Sequence, residues 1–157
     1  MIKIKLFGLF HVLAFFVIFL AYAVPVMATL GEPASSIESD RKAFSAVNRG
    51  TTPFKSYTVH EIYSPANTVR EFVSPSGIVF GVAWNGLVPP DIAQLLGSYI
   101  TEYKNALQHT PRQKGSRHQR VKSSALIVER WGHMRNLQGR AYVPALIPSG
   151  VNIDEIR

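Results

Sequence analysis

Six cations stand between Lys104 and Lys122 with no acid among them: Lys104, Arg112, Lys114, Arg117, Arg120 and Lys122. Clustered Lys and Arg attract anionic surfaces, each contributing about 1 kcal/mol near a charged membrane at low ionic strength. These six are therefore candidate ligand-binding residues, for phospholipid headgroups or lipopolysaccharide phosphates. A solvated connection explains the same run more simply, because Pro111 and Gly115 break any helix and leave a basic loop over 104–122. Nucleic acid would also suit such a loop, but no aromatic residue interrupts it, and the address read below keeps nucleic acid out of reach.

Other chemistry is harder to place. A serine nucleophile is commonly marked by Gly-x-Ser-x-Gly on a strand-to-helix turn, and no such pentapeptide occurs. His60 beside Glu61 is half of a base pair in composition, yet neighbours on a strand point to opposite faces. Zinc wants three or four close His, Cys or carboxylate ligands. His60, His109, His118 and His133 are scattered, and two lie in the basic loop. Phosphate-cradling glycine motifs are missing too, so no catalytic residue, metal ligand or cofactor is assigned. Six aromatics, Tyr57, Tyr63, Phe72, Trp84, Trp131 and Tyr142, fall on expected strands. They serve as core filling or as a platform for glycan or peptide.

Any site must be carried by the stretch from Thr68 to Tyr103. From Ile78 to Trp84 the side chains alternate, Ile78, Phe80, Val82 and Trp84 against Val79, Gly81 and Ala83, which predicts a strand with a bulky and a small face. Burying the bulky row contributes roughly 1.5 to 3 kcal/mol per side chain. Thr68 to Ser74 precedes it, and Ser74-Pro75-Ser76-Gly77 supplies the turn of a hairpin. After the break at Pro89-Pro90, Asp91 suits a helix start, and Ile92, Leu95, Leu96, Tyr99, Ile100, Tyr103 and Leu107 form an apolar stripe. Gly97 interrupts that stripe, either for close packing or as a tolerated residue.

Ser35 and Glu38 fit a capping box for a short N-terminal helix ending near Asn48, and Gly50 to Lys55 reads as a linker. Tyr57 to Tyr63, Ser124 to Trp131 and Gly139 to Val143 complete the strands. The expectation is α+β: an antiparallel sheet of about five strands, β-β-β-α-β-β, with one long amphipathic helix packed on it and the short N-terminal helix.

Lys3 and Lys5 precede an unbroken apolar run, and Val26-Met27-Ala28 offers the small residues of a cleavage site. Residues 1–28 read as a signal peptide and 29–157 as a single domain, exported to the periplasm or beyond. The alternative is an uncleaved anchor, since apolar character continues to Leu30. Loss of Lys3 and Lys5 lowers the formal charge from +7 to +5, less than the six cations of the basic loop alone, so the rest of the domain is slightly acidic. With no cysteine, no disulfide supports the core and no lipid can be attached at the signal junction.

The leading LGEPASSIESDR, the segment YTVHEI, the combination VREFVSPSGIVF with its following Trp, Gly and LLGSY, and the tail GHMRNLQGRAYVPALIPSGVNIDEI together resemble one bacterial family, domain of unknown function 2844. The resemblance implies a small exported proteobacterial protein and brings no activity, substrate or catalytic residue; the basic insert before Ser124 departs from it. The expected function is a non-enzymatic envelope module that binds a partner protein or an anionic envelope component. The alternatives are a cell-wall-directed enzyme, marked by His60 or His133 meeting a carboxylate in a concave pocket, and a membrane-tethered accessory protein.

Overall fold

The structure is a computed structural model and describes residues 30–37, 42, 47–111 and 115–157. Among them seven strands form one sheet: β1 (Val47–Pro53), β2 (Thr58–Tyr63), β3 (Asn67–Val73), β4 (Val79–Gly86), β5 (Gln119–Lys122), β6 (Ile127–His133) and β7 (Asn136–Tyr142). Their spatial order is β1-β2-β3-β4-β7-β6-β5, and every pairing is antiparallel. Between β4 and β5 runs an 18-residue helical segment made of α1 (Ile92–Leu96), a 3-10 turn (Gly97–Tyr99) and α2 (Ile100–His109).

The expected count of five strands and an N-terminal helix is thus corrected to seven strands and one long helix. Gly50 to Pro53, expected as linker, is strand β1, and Asn48, the expected helix end, already belongs to it. Of the N-terminal helix, the described residues show a 3-10 turn, Ala34–Ser36, and helical backbone at Ile37 and Lys42, while the remainder lies outside them. The basic loop also shrinks, since Lys104 stands in α2 and Gln119–Lys122 is β5.

The alternation in β4 is broken once. Phe72 pairs with Gly81, but Val73 pairs with Val79, so the register shifts and Phe80 becomes an extra residue. A bulge of this kind reverses the faces on either side of it. Val79 therefore joins Val82 and Trp84 beneath the helix, and Phe80 joins Ala83 on the opposite face.

Asp91 caps the helix, its Oδ1 accepting from the amides of Ala93 at 2.8 Å and Gln94 at 3.4 Å. Gly97 has φ +47° and ψ −118°, a backbone region that side chains rarely enter. That conformation turns α1 into α2, so neither close packing nor mere tolerance explains the glycine. Leu95, Leu96 and Tyr103 are buried against Ile62, Val69, Trp84, Val128 and Val143. The Tyr103 hydroxyl accepts from Arg130 of β6 at 2.7 Å, and burial pushes its pKa up. Leu30 to Pro33 is stitched beside β4, with Gly31 donating to the Val79 carbonyl at 2.8 Å.

The second face is covered by the chain after β7. Ile156, wholly buried, packs with Tyr57, Phe72, Phe80, Ile127 and Tyr142, and Ile147 and Val151 lie beside them. Gly81 gives Ile156 its seat: a Cβ there would stand 3.2 Å from the Ile156 Cδ1. The sheet is thus sandwiched between the helix and an irregular tail.

Candidate functional site

The four described cations of the basic segment, Lys104, Arg117, Arg120 and Lys122, do not converge. Lys104 is exposed on α2, over the helix-covered face. Arg120 and Lys122 alternate with buried Val121 along β5 and so project toward the tail-covered face. Arg120 is engaged, its Nε lying 3.3 Å from Glu129 Oε1. Arg112 and Lys114 lie outside the described residues. Among the described cations, Arg117 lines a concave surface.

That surface is a hollow of about 690 Å³ at one end of the sheet, lined by Leu87, Arg117, Gly132, His133, Met134, Arg135 and Leu137. The tight turn between β6 and β7 places Met134 and Arg135 at its rim. Arg135 adopts φ +68°, a left-handed conformation that costs a non-glycine residue free energy. Gly132, at φ +119°, is required there, because a Cβ would fall 2.1 Å from the Asn136 carbonyl oxygen. Met134 is 90% exposed, and Leu87 and Val88 on the loop after β4 are each 55% exposed. The Leu87 amide donates to the Ala66 carbonyl at 2.8 Å, which holds that loop against the β2–β3 turn. Among the described residues no acidic side chain lines the hollow.

A second arrangement lies on the tail-covered face. Register places Glu61, Arg70, Ala83, Arg140, Glu129 and Arg120 side by side across six strands. Arg70 Nε donates to Glu61 Oε2 at 3.2 Å, and Arg140 Nε donates to Glu129 Oε2 at 2.6 Å. The Arg140 guanidinium sits 5.9 Å from the Trp131 ring centre and 5.8 Å from that of Tyr142, and donates to the Ile153 carbonyl at 2.8 Å. Burial, then the Glu129 charge, pushes the Tyr142 pKa up.

The adjoining row is Tyr63, Thr68, Asn85, Gln138 and Trp131. Two hollows open along it. One of about 390 Å³ is lined by Arg70, Asn85, Trp131, Gln138 and Arg157 together with Trp84 and Gly139; the other, about 210 Å³, runs along the β2–β3 turn from Tyr63. Asn85 lines both.

A family model described as "Protein of unknown function (DUF2844)" matches residues 26–156. The chain belongs to that family. No curated protein and no solved structure matches it.

In this DUF2844 chain neither His60 nor His133 meets a carboxylate in any of the three hollows. His60 faces Glu71 across β2 and β3, and Thr51 Oγ1 lies 3.0 Å from its Nδ1; burial lowers its pKa. Neither His60 nor Glu71 lines any of the three hollows, and no carboxylate accompanies His133 in its own. Among the described residues no group of three His, Asp or Glu could hold a metal ion. No described helix is long and apolar enough to cross a membrane.

Sequence reasoning missed Arg70, Asn85, Gln138, Arg135 and Met134. The polar residues were visible as the off-phase positions of apolar strands, but only strand register aligns them. Of the six aromatics, Tyr57, Phe72, Trp84 and Tyr142 are buried, whereas Tyr63 is exposed and Trp131 half-buried.

Proposed function

We propose that this protein is an exported, non-enzymatic binding module that engages an anionic envelope surface through the end of its sheet. The observation that carries the reading is the hollow beside the β6–β7 turn. There Arg117 and Arg135 flank the exposed Met134 and Leu87 with no acid in the lining. Cations beside protruding apolar side chains suit a phosphate-bearing lipid surface, where the guanidinium groups meet headgroups and the apolar side chains reach the acyl boundary. Lys3, Lys5 and the apolar run ahead of Ala28 support export. Lys104 and Lys122 add to the attraction at longer range without forming one patch.

Co-sedimentation of residues 29–157 with vesicles containing phosphatidylglycerol, at low and at high salt, tests the proposal. Binding should fall with salt, be absent on neutral vesicles, and drop several-fold in an Arg117→Gln, Arg135→Asn, Met134→Ser variant. Asn is chosen at 135 because it tolerates positive φ. Equal binding by that variant removes this surface as the site, and no sedimentation at low salt removes the reading altogether.

A further inference from the structure

The hollows along the Tyr63–Trp131 row have a chemistry of their own. The tail covers the apolar row through Phe72 and Tyr142, and its 3-10 turn Ile153–Glu155 meets the ionic row at Arg140. The next row has no tail segment over it beyond Arg157, which lines the larger hollow. Tyr63 on β2 and Trp131 on β6 stand four strand spacings apart, roughly 19 Å at ~4.8 Å per strand. Between them lie Thr68, Asn85 and Gln138. The two hollows meet at Asn85, so they read as one shallow groove running across the strands.

The internal bonds of this groove leave donors facing outward. Gln138 is committed, its Oε1 accepting from the Trp131 indole at 3.1 Å and its Nε2 donating to Asn136 at 2.9 Å. Asn85 accepts at Oδ1 from Arg70 Nη1 at 3.5 Å, which orients its amide N–H groups away from that guanidinium. Arg70, Arg135 and Arg157 are the charged side chains lining the two hollows; Arg70 is already paired with Glu61 at 3.2 Å, so Arg135 and Arg157 carry the excess positive charge there. An acceptor-rich, negatively charged ligand matches that set. Guanidinium forks suit carboxylates, side-chain amides suit hydroxyls, and aromatic side chains at the two ends suit the apolar faces of sugar rings.

We infer that the groove from Tyr63 to Trp131 is a binding site for an extended, carboxylate-bearing glycan laid across the strands. The inference does not rest on the lipid-facing hollow, although Leu87 and Arg135 border both. Asn85 and Arg70 hold the centre of the chain, and Arg157 closes over one end. Because Trp131 is fixed by Gln138 and Arg140, the ligand meets a preformed wall with little side-chain ordering left to do.

Heteronuclear NMR titration of residues 29–157 with oligogalacturonate, which has one carboxylate per ring, and with a neutral cello-oligosaccharide of equal length tests this inference. The acidic glycan should shift the amides of Asn85, Gln138 and Gly139 and the Trp131 indole in a saturable way, and bind at least tenfold tighter than the neutral one. An Asn85→Ala, Arg157→Ala variant, checked for an unchanged melting temperature, should lose at least tenfold in affinity. If that variant is unstable, Arg157→Ala alone replaces it with a smaller expected loss. The Arg117→Gln, Met134→Ser variant should bind the glycan unchanged, which separates this site from the vesicle-binding surface. Equal affinity for the neutral chain, shifts confined to the β6–β7 turn, or no saturable binding each overturns the inference.

Discussion

Tyr57 donates its hydroxyl proton to Glu155 Oε2 at 2.7 Å, joining residues 98 positions apart in the chain. The bond fastens the start of β2 to the tail that closes the second face. Tyr57 also stacks on Phe54 at 4.7 Å and meets Phe80 edge-on at 6.0 Å, so its ring is held on two sides.

Alkaline pH should loosen this tie. Burial, reinforced by the hydrogen bond to Glu155 and its charge, raises the Tyr57 pKa from 10.0 to about 12. The folded state therefore keeps a proton that the unfolded chain releases. The stability so gained is complete below the unfolded value and is lost as pH rises toward the folded one. Chemical denaturation at stepped pH should show midpoints falling across that window in the parent and falling less in Tyr57→Phe. At neutral pH the same substitution should cost about 1 kcal/mol. Parallel pH profiles for the two proteins would refute the assignment.

Glu129 is the pivot of the ionic row. Its side chain is 8% exposed and lies between Arg120 and the 16% exposed Arg140. Glu129→Gln should destabilise the domain by about 3 kcal/mol, because the Arg140 charge stays buried after its carboxylate is removed. The carbonyl of Ile153 and the exposed Asp154 carboxylate, 3.8 Å from Arg140 Nη1, stay within reach and keep the loss at the low end of the range for broken buried pairs. Arg120→Gln should cost under about 1 kcal/mol, since that partner is mostly exposed. Urea titration of both variants checks the order, and equal losses would contradict it.

Two glycines on the sheet should respond differently to alanine. At Gly139 a Cβ would stand 2.3 Å from Trp84 Cζ2 and 2.7 Å from the Glu129 carbonyl oxygen, a fixed ring and backbone. Gly139→Ala should therefore cost about 2 to 3 kcal/mol through overpacking. At Gly81 the obstacle is the tip of the Ile156 side chain at 3.2 Å, which can rotate, and the cost should stay near 1 kcal/mol. Thermal melts read the difference, and the reverse order would show that Trp84 yields more readily than Ile156.

Gly97→Ala sets two effects against each other. Within a regular helix the change would gain about 1 kcal/mol. At φ +47° and ψ −118° the new side chain costs about 1 to 3 kcal/mol in backbone strain. The strain should win and lower the unfolding midpoint; a raised midpoint would mean that the helix straightens at no penalty.

The sequence disclosed what is buried on a regular period and concealed what is not. β2, β3, β4, β6 and β7 were legible because apolar side chains recur along them, and the helix because its stripe from Ile92 to Leu107 is continuous. The two strands that were missed, β1 and β5, are the two edges of the sheet. An edge strand has one neighbour and tolerates Pro, Lys and Arg, which also discourage pairing with another chain. Thr51, Thr52 and Pro53 in β1, and Arg120 and Lys122 in β5, accordingly look like loop. The Phe80 bulge was invisible because both faces of β4 are apolar, so reversing them leaves the composition of each acceptable. The family was legible from its motifs, whereas the groove at Asn85 was not, because its members come from different strands and meet only through register.

β4 pairs with β3 on one side and with β7 on the other, so the sheet is continuous across a junction of early and late chain. α2 adds to that junction by placing Tyr103 against Arg130. The stretch from Thr110 to His118 therefore links two fragments that already grip each other. A protease cutting there would leave a nicked protein whose pieces remain together as a heterodimer, and the two fragments made separately should complement each other on mixing.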